Sequence, residues 1–287
     1  KKEIGEKKGM AASYNNIGII YMNQGDYEKA LEYFLKNLEI YKEIGDKKGM
    51  GDSYNNIGSI YRSQGNYDKA LENYLKSLVI FEQIDHKQFM ANSYNNIGII
   101  YYDQGNLEKA MEYNLKSLTI VEELCDKIVM SASYNNIGNI YRKQGNLKMA
   151  LEYFLKTLKI KEELVDKRGM GNSYNNIGVA YKDQGNYEKA LDYLLKSKNI
   201  KQEINTIEDL DETSAALSET YKKLGKYKQA LEMHELYMET KDSIAKMDAE
   251  EELYKFEVDK EYELKKQADS IKHADEILIQ QAENLAK

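Results

Sequence analysis

The chain has 287 residues, no proline, 31% charged and 42% hydrophobic residues, so nothing obstructs continuous helix and the turn chemistry of β folds is scarce; an all-α protein is expected. A formal net charge of −7 without any block of clustered Lys and Arg argues against a nucleic-acid partner. No signal-peptide pattern and no apolar run near the ~18 residues of a membrane span occur, so this piece is read as soluble, making no membrane contact of its own, with its compartment left open.

Residues 1–10, Lys-Lys-Glu-Ile-Gly-Glu-Lys-Lys-Gly-Met, nearly copy Tyr41 to Met50. They are expected to be the end of a truncated preceding repeat, and the chain a fragment of a longer protein. Residues 11–209 hold five units that superpose at a shift of 40 without a gap: Ser13-Tyr14-Asn15-Asn16-Ile17-Gly18 recurs from Ser53, Ser93, Ser133 and Ser173, and Gln24-Gly25-Asp26-Tyr27-Glu28-Lys29-Ala30 from Gln64, Gln104, Gln144 and Gln184. A period of this size signals a solenoid. Tyr14, Ile17, Gly18 and Tyr21 lie on one face of a first helix, A. Gly25 closes it in a tight turn, and Asp26 (Asn66, Asn106, Asn146 and Asn186 in the other units) is suited to cap a second helix, B, whose apolar stripe is Tyr27, Ala30, Leu31, Phe34, Leu38 and Tyr41. The small Gly18 and Ala30 let A and B approach closely. One hairpin cannot bury such a stripe alone, so each must lean on its neighbour.

Residues 210–242 keep Leu217, Tyr221, Gly225, Tyr227 and Ala230 at the repeat spacing and read as a degenerate sixth copy that caps the stack. Residues 243–287 contain neither Gly nor Pro and read as one long charged helix. Leu264, Ala268, Ile271, Asp275, Leu278, Ala282 and Leu285 follow a heptad, which leaves open a coiled coil or a solvated helix folded back on the array.

No catalytic or metal constellation emerges: His86, His234 and His273 are dispersed, and pairs such as Glu122-Glu123 suit a solvated helix face. Neither a cofactor nor intrinsic catalysis is expected. The single Cys125 excludes an intrachain disulfide and is read as a small, partly buried side chain.

The pattern Tyr14, Ile17-Gly18, Tyr21, Gly25-x-Tyr27, Ala30-x-x-x-Phe34 resembles the tetratricopeptide repeat family over about residues 1–242. The period is 40 where the family's is about 34, and the proline after helix B is missing, so the helices are longer, as in the variant similar to kinesin light chain. The tail resembles the linker after such repeats in Bacteroidetes-type sensor histidine kinases and cyclases. The resemblance implies a right-handed superhelical solenoid of antiparallel helix pairs and a protein- or peptide-binding scaffold. The alternative it leaves is the sensory portion of a membrane-bound signalling enzyme whose catalytic domain lies beyond Lys287.

In such a solenoid the stripe of helix A opposite its core face lines a concave groove. Its invariant member is Asn16, repeated as Asn56, Asn96, Asn136 and Asn176. An amide both donates and accepts, so five in register could pair with the backbone of an extended peptide, in the manner of the asparagine ladder that the repeat region of O-GlcNAc transferase carries. The alternative is that they bond the neighbouring hairpin. The adjacent Asn15 series is read as structural. Selectivity is expected from groove positions that change: Ile19, Ile99 and Val179 as apolar anchors, or as residues incidentally exposed or buried against the superhelix, with Asn139 in the same column and Arg62, Tyr102 and Arg142 flanking it. The Lys-rich carboxylate clamp of chaperone-binding relatives is not reproduced, since Asn15 and its copies stand there. Self-association through the N-terminal end or the C-terminal helix is also expected.

Overall fold

The computed structural model describes residues 2–206, 210–247, 249, 250, 253 and 260, and every regular element among them is an α-helix. In chain order these are α1 (Lys2–Asn23), α2 (Tyr27–Ile44), α3 (Lys47–Ser63), α4 (Tyr67–Gln83), α5 (Lys87–Asp103), α6 (Leu107–Leu124), α7 (Lys127–Lys143), α8 (Leu147–Glu163), α9 (Lys167–Asp183), α10 (Tyr187–Glu203) and α11 (Leu210–Lys223). Residues 227–247 are helical as well and are labelled α12. Odd-numbered helices are the A helices and even-numbered ones the B helices.

The hairpin turn is made where the spacing places it. Gly25 sits at φ 71°, its N–H donates to the Met22 carbonyl at 3.0 Å and the Asp26 N–H to the Tyr21 carbonyl at 2.9 Å, the paired bonds that satisfy the last carbonyls of a helix. The Asp26 carboxylate then accepts the Lys29 N–H at 3.0 Å and starts α2; Asn66 does the same for Lys69 at 3.2 Å. Between repeats the chain again enters the left-handed region, at Gly45, Asp85, Cys125, Val165 and Asn205. Cys125 is therefore exposed at the end of α6, not partly buried as its small apolar character suggested. At the N-terminus no such turn forms: α1 runs through Gly5, so residues 2–10, read as the end of a preceding repeat, extend helix A of the first hairpin.

Helix A closes on helix B where the side chains are small. A Cβ on Gly18 would stand 2.7 Å from the Phe34 ring, and one on Gly138 would stand 2.6 Å from the Phe154 ring. The apolar core lies between hairpins as much as within them. Ala30, Phe34 and Leu38 of α2 pack on Ile57 and Ile60 of α3; Ala70, Tyr74 and Leu78 of α4 on Ile97 and Ile100 of α5; Leu194 of α10 on Ala216 and Leu217 of α11. Each helix thus shares its buried face with the next, and the chain is an all-α solenoid. A helices also touch across repeats, α5 on α7 and α9 on α11, an approach that no pair among α2, α4, α6, α8 and α10 matches. The A helices accordingly line the inner curve. The heptad positions from Leu264 to Leu285 lie outside the described residues.

Candidate functional site

The stripe 12, 16, 19, 23 of each repeat falls on this inner face, and its asparagines meet their neighbours there. Asn56 Nδ2 donates to Asn15 Oδ1 at 2.8 Å, Asn96 to Asn55 at 2.8 Å and Asn176 to Asn135 at 2.8 Å. The amide of the second series thus reaches back to the first series of the preceding hairpin. Asn16 has no predecessor to reach for; it is exposed and makes no hydrogen bond among the described residues. In the bridged members the Oδ1 oxygen and the second amide proton remain uncommitted among the described residues. Asn136 departs from the pattern, donating at 3.0 Å to Asn114 Oδ1 of helix B, while Asn95 Oδ1 accepts Ser133 Oγ at 3.0 Å.

A second polar line went unread in the sequence. Asn37, Ser77, Ser117, Thr157 and Ser197 of the B helices are all at most 3% exposed. Asn37 Nδ2 donates to the Ala11 carbonyl at 2.7 Å and its Oδ1 accepts Ser53 Oγ, whereas Ser77 faces Ser93, and Ser117 faces Ser133, hydroxyl to hydroxyl at 3.3 and 3.2 Å. The recurrence of a small polar residue seven positions after Ala30 and its copies, inside an apolar stripe, was the available signal.

The variable positions divide. Ile19 packs against the α2–α3 core, Val179 against Leu194 and Leu217, and Ile99 faces an open cavity. The flanking residues pair along the stack: Arg62 Nε with Asp103 at 3.0 Å, Arg142 with Asp183 at 3.9 Å, and Lys143 over the Tyr102 ring at 4.5 Å.

Three hollows follow the inner face. One of about 400 Å³ is lined by Ala12, Asn16, Ile19, Asp52, Asn56 and Phe89. A central one of about 160 Å³ brings together five of the residues singled out from sequence, Arg62, Ile99, Tyr102, Asn136 and Asn139, with Asp103, Asn114 and Ile140. The third, about 690 Å³, is bordered by Ala132, Asn172, Asn176, Arg168 and the buried Lys201, whose Nζ donates to Thr213 Oγ1 at 3.0 Å. Burial raises the Asp52 carboxyl to about 6, against the pull of Lys48 and His86, so the first hollow holds an acid that ionises reluctantly. Among the described residues no cluster of three or more metal-ligating side chains forms, and His86 instead stacks edge-on to Phe89.

The tetratricopeptide repeat family model matches five overlapping stretches, residues 9–83, 49–123, 89–163, 129–203 and 169–243. No curated protein matches the chain significantly in sequence. Among solved structures, the chain is similar to BtubC (BKLC) from P. vanneervenii, with 17% identity, a TM-score of 0.65 and coverage of 77% of this chain and 91% of that one. It is similar to a P. anserina chain of nearly identical TPR-like repeats of the kinesin light chain type, with 15% identity, a TM-score of 0.55 and coverage of 70% and 98%. A Rap protein complexed with Competence and Sporulation Factor is also similar, at 16% identity, a TM-score of 0.62 and coverage of 81% and 75%. At these identities the likeness is one of fold.

Proposed function

Because the chain belongs to the tetratricopeptide repeat family, whose repeats are protein-interaction scaffolds, we propose that it binds an extended segment of a partner protein along the inner face of its A helices and performs no catalysis of its own. The observation that carries this reading is the run of three hollows along one face, each bordered by a member of the Asn16, Asn56, Asn96, Asn136, Asn176 series or its neighbours. The amide atoms left over after hairpin bridging suit a peptide backbone, and Ile99, Asn139, Tyr102, Arg62 and Arg142 would discriminate side chains. Helix pairs advance by roughly 10 Å and an extended peptide by about 3.3 Å per residue, so five repeats suit about a dozen ligand residues. Ile4, Met10 and Ile20, exposed on α1, favour self-association through that end, which a mass that rises with concentration would reveal.

The ladder itself is a poor place to test binding, since its amides also join hairpins. Ala132 and Asn172 are exposed and border the largest of the three hollows, and the Asn172 side chain bonds nothing among the described residues. Dodecapeptides selected from a random library on the intact protein are expected to lose at least tenfold in affinity for the double variant Ala132→Trp, Asn172→Trp, whose melting temperature stays that of the parent. Undiminished affinity in that variant moves the binding surface elsewhere.

A further inference from the structure

Four of the five hairpins plug the gap beneath helix A with a large side chain from helix B: Phe34, Tyr74, Phe154 and Leu194, none more than 2% exposed, stand under Gly18, Gly58, Gly138 and Gly178. The third hairpin keeps the glycine, Gly98, but carries Asn114 in that column. Asn114 still closes the space directly under Gly98, but it is shorter than a ring and too polar to leave unpaired, so it folds back there and leaves the room further out, beside Ile99, unfilled: Nδ2 donates to the Ala110 carbonyl at 2.8 Å and Oδ1 takes the Asn136 amide away from Asn95. What the missing ring leaves is the central hollow of about 160 Å³, which opens on the groove between α5 and α7.

We propose that this hollow receives the ring of a phenylalanine or tyrosine presented by the bound segment, so that the ligand completes from outside the repeat that lacks its own plug. The inference rests on the groove reading above and adds the anchor residue. Size agrees, since a cavity of about 150 Å³ accommodates a benzene ring. The walls agree too: Ile99 and Ile140 offer apolar surface and Tyr102 an aromatic face, the surroundings in which a ring gains most from leaving water. At the mouth stand the Asn139 amide, unbonded among the described residues, and the Arg62–Asp103 pair, which give a phenol hydroxyl partners. The protein contains its own precedent, for Tyr74 occupies this column in the second repeat with its hydroxyl 3.0 Å from Ser59 Oγ on the groove side.

The test uses the same random dodecapeptide library on the intact chain. Selected peptides are expected to share one Phe or Tyr whose replacement by Ala lowers affinity at least tenfold. Asn114→Phe rebuilds the arrangement of Phe34 under Gly18 and frees Asn136 to bond Asn95; it is expected to melt no lower than the parent yet bind the peptides at least tenfold more weakly. Peptides that bind Asn114→Phe as well as the parent, but lose affinity for the Ala132→Trp, Asn172→Trp variant, overturn the anchor and leave the groove reading standing. Indifference to all these changes, or a library without binders, overturns both. Should Asn114→Phe not fold, the parent decides: N-acetyl-phenylalaninamide should shift the side-chain amide resonances of Asn136 and Asn139 saturably and N-acetyl-alaninamide should not, and an equal response to the two sinks the proposal.

Discussion

Asp52 occupies the stripe that in the other repeats carries Ala12, Asn92, Ala132 and Asn172, and it is the member that can be charged. Its ionisation is displaced upward from 3.8 to about 6, first by burial, with Asp46 adding a little and Lys48 and His86 opposing. The native state therefore holds this proton more tightly than the unfolded chain, so the contribution is full below about pH 4 and is lost as pH rises through about 6. The displacement would correspond to roughly 3 kcal/mol in a dry site; with part of the carboxyl open to water, about 1–2 kcal/mol is a fair expectation. Asp52→Asn should accordingly raise stability at pH 7 by that amount and change it little at pH 4, which denaturant melts at the two pH values will show. Equal stability of the two proteins at pH 7 would contradict it. The asparagines show how far a residue can be read from sequence. Periodicity placed Asn56 on the inner face, but its bond to Asn15 depends on the stagger between hairpins, which no spacing within one hairpin encodes. Asn114 was legible and passed over: the column Phe34, Tyr74, Asn114, Phe154, Leu194 contains its own exception.

At the level of the element, the two kinds of turn were unequally visible. The turn within a hairpin announces itself because Gly25, Gly65, Gly105, Gly145 and Gly185 recur at the position that needs a positive φ. The turn between hairpins needs the same geometry and uses Gly45, Asp85, Cys125, Val165 and Asn205 for it, so no residue type marks the column. Val165 is the least suited: a β-branched side chain, 77% exposed, held at φ 55°. The left-handed region costs roughly 1–2 kcal/mol for such a residue, and glycine gives back part of the gain through its looser unfolded chain. Val165→Gly is thus expected to stabilise by about 1 kcal/mol, seen as a higher denaturation midpoint with no change in slope. A destabilised variant would mean that the Val165 side chain contributes a contact its exposure denies.

For the molecule as a whole, the repeat period foretold the hairpins and their order, because both follow from local sequence and nearest-neighbour burial. It did not foretell the stacking partners of polar side chains, which arise only when two hairpins are placed side by side. Since each core cluster joins one B helix to the next A helix, stability is distributed link by link. Phe154→Ala in the middle of the stack should cost about 3–5 kcal/mol and separate unfolding into two transitions, with amide exchange accelerated first in α8 and α9. Phe34→Ala should mainly loosen α1 and α2. A single sharp transition in both variants would show that cooperativity spans the array. Repetition also raises a question of identity, because hairpins this alike could dock one step out of register or trade places with those of another copy. The buried polar seam answers it. Asn37 presents an amide that reaches both the Ala11 carbonyl and Ser53, while Ser77 and Ser117 meet Ser93 and Ser133 with hydroxyls alone. Moved to another joint, Asn37 would crowd a slot sized for serine; a serine does reach the matching carbonyl, as Ser77 reaches Gly51 at 2.9 Å, so it is the bulk of Asn37 that sets its joint apart. Near-copies are in this way given addresses, written in the few buried side chains that differ.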